Sequence, residues 1–377
     1  MIANLDYPTL QHLWWLLCSV VGALFLFLTF VQGGQTLLWQ VARTETEKDL
    51  VINSLGRKWE LTFTTLVLFG GALFAAFPKF YATSFGGAYW VWVLILFTFI
   101  VQAVSYEYRK KPFNVLGARV YELFLFINGS VGILLIGAAV GTFYTGADFR
   151  LSVYNFVTWT TPLRGLEAAF SLFNLSLGLF LVFNARTLGA LYLLNNIDLA
   201  GATEMEPRLR KAVWTSFICS LPFLLYVLIS LLLMKGYGIV DDKGTIELVT
   251  RKYLANLLAN PWLLAMLAGG LVLVIIGVLR GAKSASRAGI WFAGPGTVLV
   301  GLTVLLLPAY NNTAFYPSRV DLQSSLTIFN ASSSPYTLMV MTYVAIAIPF
   351  VLAYIAYVWW AMDRRRLTAD EVSGKAY

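Results

Sequence analysis

The sequence predicts an all-α polytopic membrane protein, and three observations carry that prediction. Hydrophobic residues make up 59% of the 377 positions and charged residues only 12%, about half the charged share of a soluble domain. The apolar residues gather into nine runs of roughly 20 or more, each long enough to cross about 30 Å of hydrocarbon. The connections between these runs are short, and none has the composition of a soluble domain.

The first span, near 13–36, is opened by His12, Trp14 and Trp15. No basic segment precedes it and no small-residue cleavage site follows, so it reads as a retained helix and not a signal peptide. After it, Thr44-Glu45-Thr46-Glu47 has the capping-box pattern, with Thr44 as N-cap and Glu47 reaching back; a short surface helix is expected there. The second span, near 60–79, lies in Trp59–Ala82, WELTFTTLVLFGGALFAAFPKFYA. At helical spacing Glu60, Thr64, Val67, Gly71, Ala75 and Pro78 fall on one face. Gly71 and Ala75 form a small-xxx-small pair, flanked by Gly70, Ala72 and Ala76, so another helix can approach closely. Spans near 84–106, 122–145 and 164–190 follow. Arg164 and Glu167, three apart, are expected to pair on one face of the last of these, and Glu122 to pair with Arg119. Spans near 209–234, 261–280, 288–308 and 336–362 complete the set. Pro78, Pro308 and Pro335 sit at span ends, where a missing N–H costs least.

Most of the 27 basic residues fall on one side of the spans. Arg43, Lys48, Arg57 and Lys58 follow span one; Arg109, Lys110, Lys111 and Arg119 follow span three. Arg186, Arg208, Arg210 and Lys211 surround the connection after span five, and Arg280, Lys283 and Arg287 follow span seven. Arg364, Arg365, Arg366 and Lys375 are in the tail. On the other side, the basic residues of loop 235–260 are offset by Asp241, Asp242 and Glu247. The positive-inside rule puts the N-terminus outside and the tail in the cytoplasm. The net charge of +8 is therefore a membrane-topology signal and not a nucleic-acid patch.

Several chemistries lack their residues. Cys18 and Cys219 lie in apolar spans without a CxxC, which excludes a disulfide framework and a thiolate metal site. The chain has no P-loop and no HExxH. Its one histidine, His12, beside Trp14 and Trp15, reads as interfacial, and a bis-histidine haem cannot be built from it. The ionisable groups in or beside spans are Glu60, Glu107, Glu122, Arg164, Glu167 and Asp363; intramembrane carboxylates are proton relays or partners of a cation. Glu60 has two readings. One is a helix cap worth about 0.3–1 kcal/mol against the helix dipole, and the other is a titrating relay.

Four segments carry a family resemblance: HLWWLL, TETEKDLVINSLGRKWE, GGALFAAFPKFYA and SSLTIFNASSSPYTLMVMT, the last being the most specific. Together they resemble subunit II of the cytochrome bd-type quinol oxidases, along the whole chain. The resemblance implies a single membrane domain of about nine helices, in two four-helix bundles plus one peripheral helix, in a bacterial cytoplasmic (inner) membrane. It implies a heterodimer with subunit I, which carries haem b, haem d and the quinol site, while subunit II binds no haem. A small single-helix subunit and a bound quinone or lipid are further expectations of the family. Proton-pathway candidates are Glu60, Trp59 and Thr64. Subunit-interface candidates are Gly70, Gly71, Ala75, Ser333, Thr337 and Met341. Two departures bear on the proton route. Family members carry acids in the Gly-rich part of the first helix, but Leu28–Gln35 reads LTFVQGGQ, where Gln32 and Gln35 order water without titrating. The third span ends in Gln102, where relatives can have arginine. Protons then enter through Glu60 and ordered water, or through subunit I alone. The competing readings are a secondary transporter, for which Gly294-Pro295-Gly296 would break span eight at membrane depth, and a structural scaffold.

Overall fold

In lipid the backbone must satisfy its own hydrogen bonds, so apolar runs of spanning length become helices. A computed structural model describes residues 5–201, 204–241, 243–283, 286–369 and 371; Asp242 and Lys375 lie outside the described residues. Helix α1 (Tyr7–Leu28) pauses at Thr29, whose hydroxyl donates to the Leu26 carbonyl, and resumes as α2 (Phe30–Gln35). Short α3 (Leu38–Val41) leads to α4 (Glu45–Gly56), α5 (Trp59–Ala76) and α6 (Pro78–Tyr81). Then come α7 (Tyr89–Tyr108), α8 (Ala118–Ile127), a π-helical turn at Asn128–Gly132, and α9 (Ile133–Thr145). The second half contains α10 (Leu172–Asn196), α11 (Met205–Leu233), α12 (Lys252–Ala259), α13 (Pro261–Lys283) and α14 (Ile290–Leu306). It ends with α15 (Ile328–Ala331), α16 (Pro335–Ala345) and α17 (Ile348–Asp363). Among the described residues seven helical runs are long and apolar enough to span. The bent pair α16–α17 adds an eighth, and α14 is a shorter apolar helix of 17 residues.

One bundle is made of α1–α2, α5, α7 and α8–α9, the other of α10, α11, α13 and α14, and α16 lies outside against α1 and α5. The bundles meet where α10 crosses α2 with backbones in contact. A Cβ on Gly33 would lie 2.0 Å from the Ala185 carbonyl, and one on Gly189 2.3 Å from the Gly34 nitrogen. Three antiparallel two-stranded sheets cover one end of the molecule: β1 (Phe149–Leu151) with β2 (Val157–Trp159), β3 (Gly236–Ile239) with β4 (Ile246–Val249), and β5 (Ala314–Tyr316) with β6 (Leu326–Thr327).

Four expectations need correction. The fifth span starts at Leu172 and not 164, because Gly165 adopts φ +94 and Ser171 is extended, leaving 166–170 as a 3-10 turn outside the helix. Arg164 and Glu167 do not pair: Arg164 lies over the Tyr89 ring, and Glu167 accepts from Thr161 Oγ1 and the Gly165 N–H. The ninth span is bent by 40° between α16 and α17, next to Pro349, which has no N–H to give. The helix opened by Thr44 has the expected capping box, but it is no surface helix, since Leu50, Val51, Ile52 and Leu55 are buried in the core. In contrast to the broken helix that a transporter site needs, α14 runs through Pro295.

Candidate functional site

The candidate surface lies at the charged end of the bundles and along the open face of α5. At the charged end, chain connections far apart in sequence converge on Arg109, the residue after α7. Its guanidinium, 1% exposed, donates to Glu122 through Nε (3.2 Å) and Nη2 (2.9 Å), to Asp49 (2.9 Å) and to Glu45 (3.1 Å). Glu122, equally buried, also accepts from Lys48 at 3.3 Å and from the Trp39 indole at 2.8 Å. Its expected partner Arg119 is replaced by Arg109, because the turn of α8 that holds Glu122 faces α4 and the end of α7. Lys110 binds Asp49, Arg208 binds Glu47, and Glu206 bridges Arg210 and Arg287. These pairs gather the basic connections after spans one, three, five and seven at one end.

The same end holds the tie that precedes α5. Lys58 Nζ lies 3.1 Å from Asp363 Oδ1 with both side chains buried, and over the Trp359 ring at 5.0 Å. Asp363 also accepts from Asn196 Nδ2 at 3.1 Å. Asp363, singled out in the sequence as ionisable, is thus the anchor of the C-terminal helix.

From this tie α5 runs outward with Trp59 turned in and Glu60 turned out. Trp59 stacks on Tyr106 with ring centroids 5.8 Å apart. Glu60 and Thr64 are exposed, and the Thr64 hydroxyl donates to the Glu60 backbone carbonyl at 2.8 Å and not to its carboxylate. Beyond them Val67, Leu68, Gly71 and Phe74 are exposed, and a Cβ on Gly71 would meet nothing within 4 Å. Gly70 faces inward against Phe85, and Ala75 is half-buried. Helix α17 is open too: Phe350, Val351, Leu352, Tyr354, Tyr357 and Trp360 are exposed.

The polar motif before α16 has a local structural use. Thr327 and Asn330 form a capping box, and Ser334 caps α16 by accepting from the Thr337 N–H. Ser332 accepts from Gln11 Nε2, and the Ser333 N–H donates to Ala76 O, joining the motif to α1 and to the end of α5. Ser333, Thr337 and Met341 are half-buried. At the same end of α1, His12 Nδ1 lies 2.8 Å from the Pro8 carbonyl, and its ring packs between Tyr310 and Phe329. Among the described residues no three His, Cys, Asp or Glu side chains gather as a metal site.

The sequence reading missed the Arg109 hub and the Lys58–Asp363 tie. The only available signal was the density of mixed charge at span ends, which does not say who pairs with whom.

This architecture is that of a polytopic helical membrane subunit, charge-locked at one end, strand-covered at the other, and open along one apolar helix face. The chain belongs to the cytochrome bd terminal oxidase subunit II family, whose sequence profile matches residues 10–362. It is similar to cytochrome bd-I ubiquinol oxidase subunit 2 of Escherichia coli (strain K12), 28% identical with 98% of each chain covered. It is also similar to cytochrome bd ubiquinol oxidase subunit 2 of Bacillus subtilis (strain 168), 24% identical with 96% of this chain and 98% of the relative covered. Its fold matches a chain in the structure of bd oxidase from Geobacillus thermodenitrificans with TM-score 0.63 and 13% identity, covering 94% of this chain and 98% of that one.

Proposed function

We propose that this chain is the haem-free subunit II of a bd-type quinol:oxygen oxidoreductase in a bacterial inner membrane. In this reading it supports a haem-bearing subunit I and lets protons reach it from the cytoplasm; it is not catalytic alone. Family membership supplies the class, and the open face of α5 and α17 is the observation that supports the partnership. In lipid an exposed apolar surface is no anomaly, but a face carrying Gly71 with nothing near it is shaped for a close helix approach. That the chain has a single histidine supports the haem-free reading, because a bis-histidine haem cannot be built from it. The orientation follows from charge. The Arg109 and Lys58 clusters gather the basic connections at one end, which the positive-inside rule places in the cytoplasm, with the N-terminus outside.

Glu60 stands at that end, on the open face, next to the buried Lys58–Asp363 pair. Oxygen reduction consumes protons, and an exposed carboxylate at the cytoplasmic edge of a subunit contact can collect and release them. Thr64, bonded to the Glu60 carbonyl, lies one turn deeper on the same face. Glu60→Gln keeps shape and hydrogen bonding but cannot titrate. The expected outcome is a fully assembled complex, with full haem content, that turns over quinol and oxygen at least tenfold more slowly. Wild-type turnover in that assembled variant would show that protons take another route, and loss of assembly would assign Glu60 to capping. A polytopic haem-bearing partner should co-purify with this chain from detergent extracts.

A further inference from the structure

Seven buried polar atoms in the first bundle have no hydrogen-bond partner among the described residues, and they belong to five side chains that the fold brings together. They are Nε2 and Oε1 of Gln32, Oε1 of Gln35, Nε2 and Oε1 of Gln102, Oδ1 of Asn128 and the indole Nε1 of Trp59. The other unpartnered atoms are scattered singly over Arg186, Arg208, Thr297 and Trp359.

The grouping follows from three elements. Gln32 and Gln35 sit three apart on α2. Thr98, Gln102 and Tyr106 lie four apart along α7 and so share one face. Two hydrogen bonds turn that face toward its neighbours: Gln35 Nε2 donates to Tyr106 Oη at 2.9 Å, and Asn128 Nδ2 to Thr98 Oγ1 at 3.4 Å. Gln102 lies between these two contacts. Asn128 opens the π-helical turn, and a Cβ on the next residue, Gly129, would stand 2.1 Å from the Gln32 carbonyl, so this turn rests directly on α2. Trp59 closes the group by stacking on Tyr106.

Gln32, Gln102 and Asn128 are fully shielded from solvent, and no bulk water within the bilayer can serve them. Buried polar groups left unmet call for a ligand. The inventory says which. Gln32 and Gln102 each leave both a donor and an acceptor open, so exchanging the amide N and O changes nothing. A metal cation would satisfy the oxygens and oppose the N–H groups; an anion would do the reverse. Water both donates and accepts.

We propose that Gln32, Gln35, Gln102 and Asn128, with Trp59 at its edge, enclose a cluster of ordered water: a neutral hydration site inside the first bundle. It holds no titrating group and stands whether or not Glu60 relays protons.

The test uses the purified complex. Hydroxyl radicals made by X-ray radiolysis arise from bound water as well as bulk, and they modify adjacent side chains. Tyr106 is 2% exposed and Tyr144 1%. The Tyr144 hydroxyl donates to the Val304 carbonyl at 2.6 Å, away from any open amide. Tyr106 should be modified several-fold faster than Tyr144, and Gln102→Leu should bring it down toward the Tyr144 rate. In a hydrated site the leucine strips water of its partners, and the melting temperature of the complex falls. In a dry site it removes two orphaned atoms, and the melting temperature rises. Equal slow labelling of the two tyrosines in the wild type, or a raised melting temperature in Gln102→Leu, overturns the proposal. Should that variant fail to assemble, the wild-type labelling ratio decides alone.

Discussion

Replacing Arg109 by methionine should destabilise the subunit strongly, and the loss should be largely recovered by neutralising Glu122. The guanidinium is 1% exposed and holds Glu122, also 1% exposed, by two hydrogen bonds. Removing one member of a buried pair costs about 3–5 kcal/mol, chiefly because the other charge is stranded. The lower end applies, since Lys48 still reaches Glu122 at 3.3 Å and Lys110 still binds Asp49. Glu45, 71% exposed, adds little, as surface pairs contribute about 0–1 kcal/mol. Arg109→Met is therefore expected to cost about 3 kcal/mol. Glu122→Gln in the same chain leaves a neutral amide on the Trp39 indole, and the double variant should lie within about 1 kcal/mol of wild type, because a buried pair replaced as a whole is close to neutral. Equilibrium unfolding of the four members of this cycle in mixed detergent micelles gives the coupling directly. A single variant within about 0.5 kcal/mol of wild type, the range of an ordinary surface substitution, would refute the reasoning. So would a double variant losing the sum of the two singles.

Further outcomes are expected. A Cβ on Gly71 meets nothing within 4 Å, so Gly71→Leu should leave the isolated chain intact while lowering recovery of the complex; unchanged recovery would place that face against lipid. By contrast Gly33→Ala, with its Cβ 2.0 Å from the Ala185 backbone, should destabilise the chain itself by at least the roughly 1–3 kcal/mol of an overpacked core, and normal yield and melting of that variant would count against the α2–α10 contact. The chain expressed without its partner should show no Soret band at stoichiometric haem. The Asp241 carboxyl, held below its ordinary value of 3.8 by the Thr245 N–H and then by the Thr245 hydroxyl, stabilises the β3–β4 turn above that value and ceases to as pH falls through the folded value. Amide protection at Thr245 should drop on acidification below about 3.8, its ordinary value, and Asp241→Ala should produce the same drop at neutral pH; protection that ignores both changes would rule the turn contact out.

The spans were legible because lipid leaves a chain no choice: twenty apolar residues in sequence must form a helix, whatever surrounds them. Local caps were legible for a similar reason, since Thr44 and Glu47 need only each other. Contacts across the fold were not. Glu122 was expected beside Arg119, three residues away, but its partners Arg109, Lys48 and Trp39 are 13, 74 and 83 residues away. The glycines divide along the same line. Gly71 announces a small face but not which neighbour it serves. Gly33 and Gly34, noticed only for the acids missing around them, turn out to be where the two bundles touch. Span five starts later than 164 because Gly165 takes a positive φ and Ser171 is extended, and neither backbone turn is visible to hydropathy or to the three-residue spacing of Arg164 and Glu167.

The way α17 is held explains how a subunit can present so open a face and keep its shape. Apart from Trp359, which packs on Phe27 and Phe30, this span gains little from its own subunit by packing, because lipid tails solvate leucine as well as another helix does. Its position is therefore set at its ends. At one end Asp363 is fixed by Lys58 and Asn196, with Trp359 beneath the Lys58 ammonium. At the other, α16 is capped by Ser334, and its connection is bonded through Ser333 to the end of α5. Helix α5 is thereby tied to the end of α17 on one side and to the start of α16 on the other. Between the ties their outward surfaces stay free of intrasubunit contacts, so a partner helix can settle against Gly71 without any rearrangement of this chain's core.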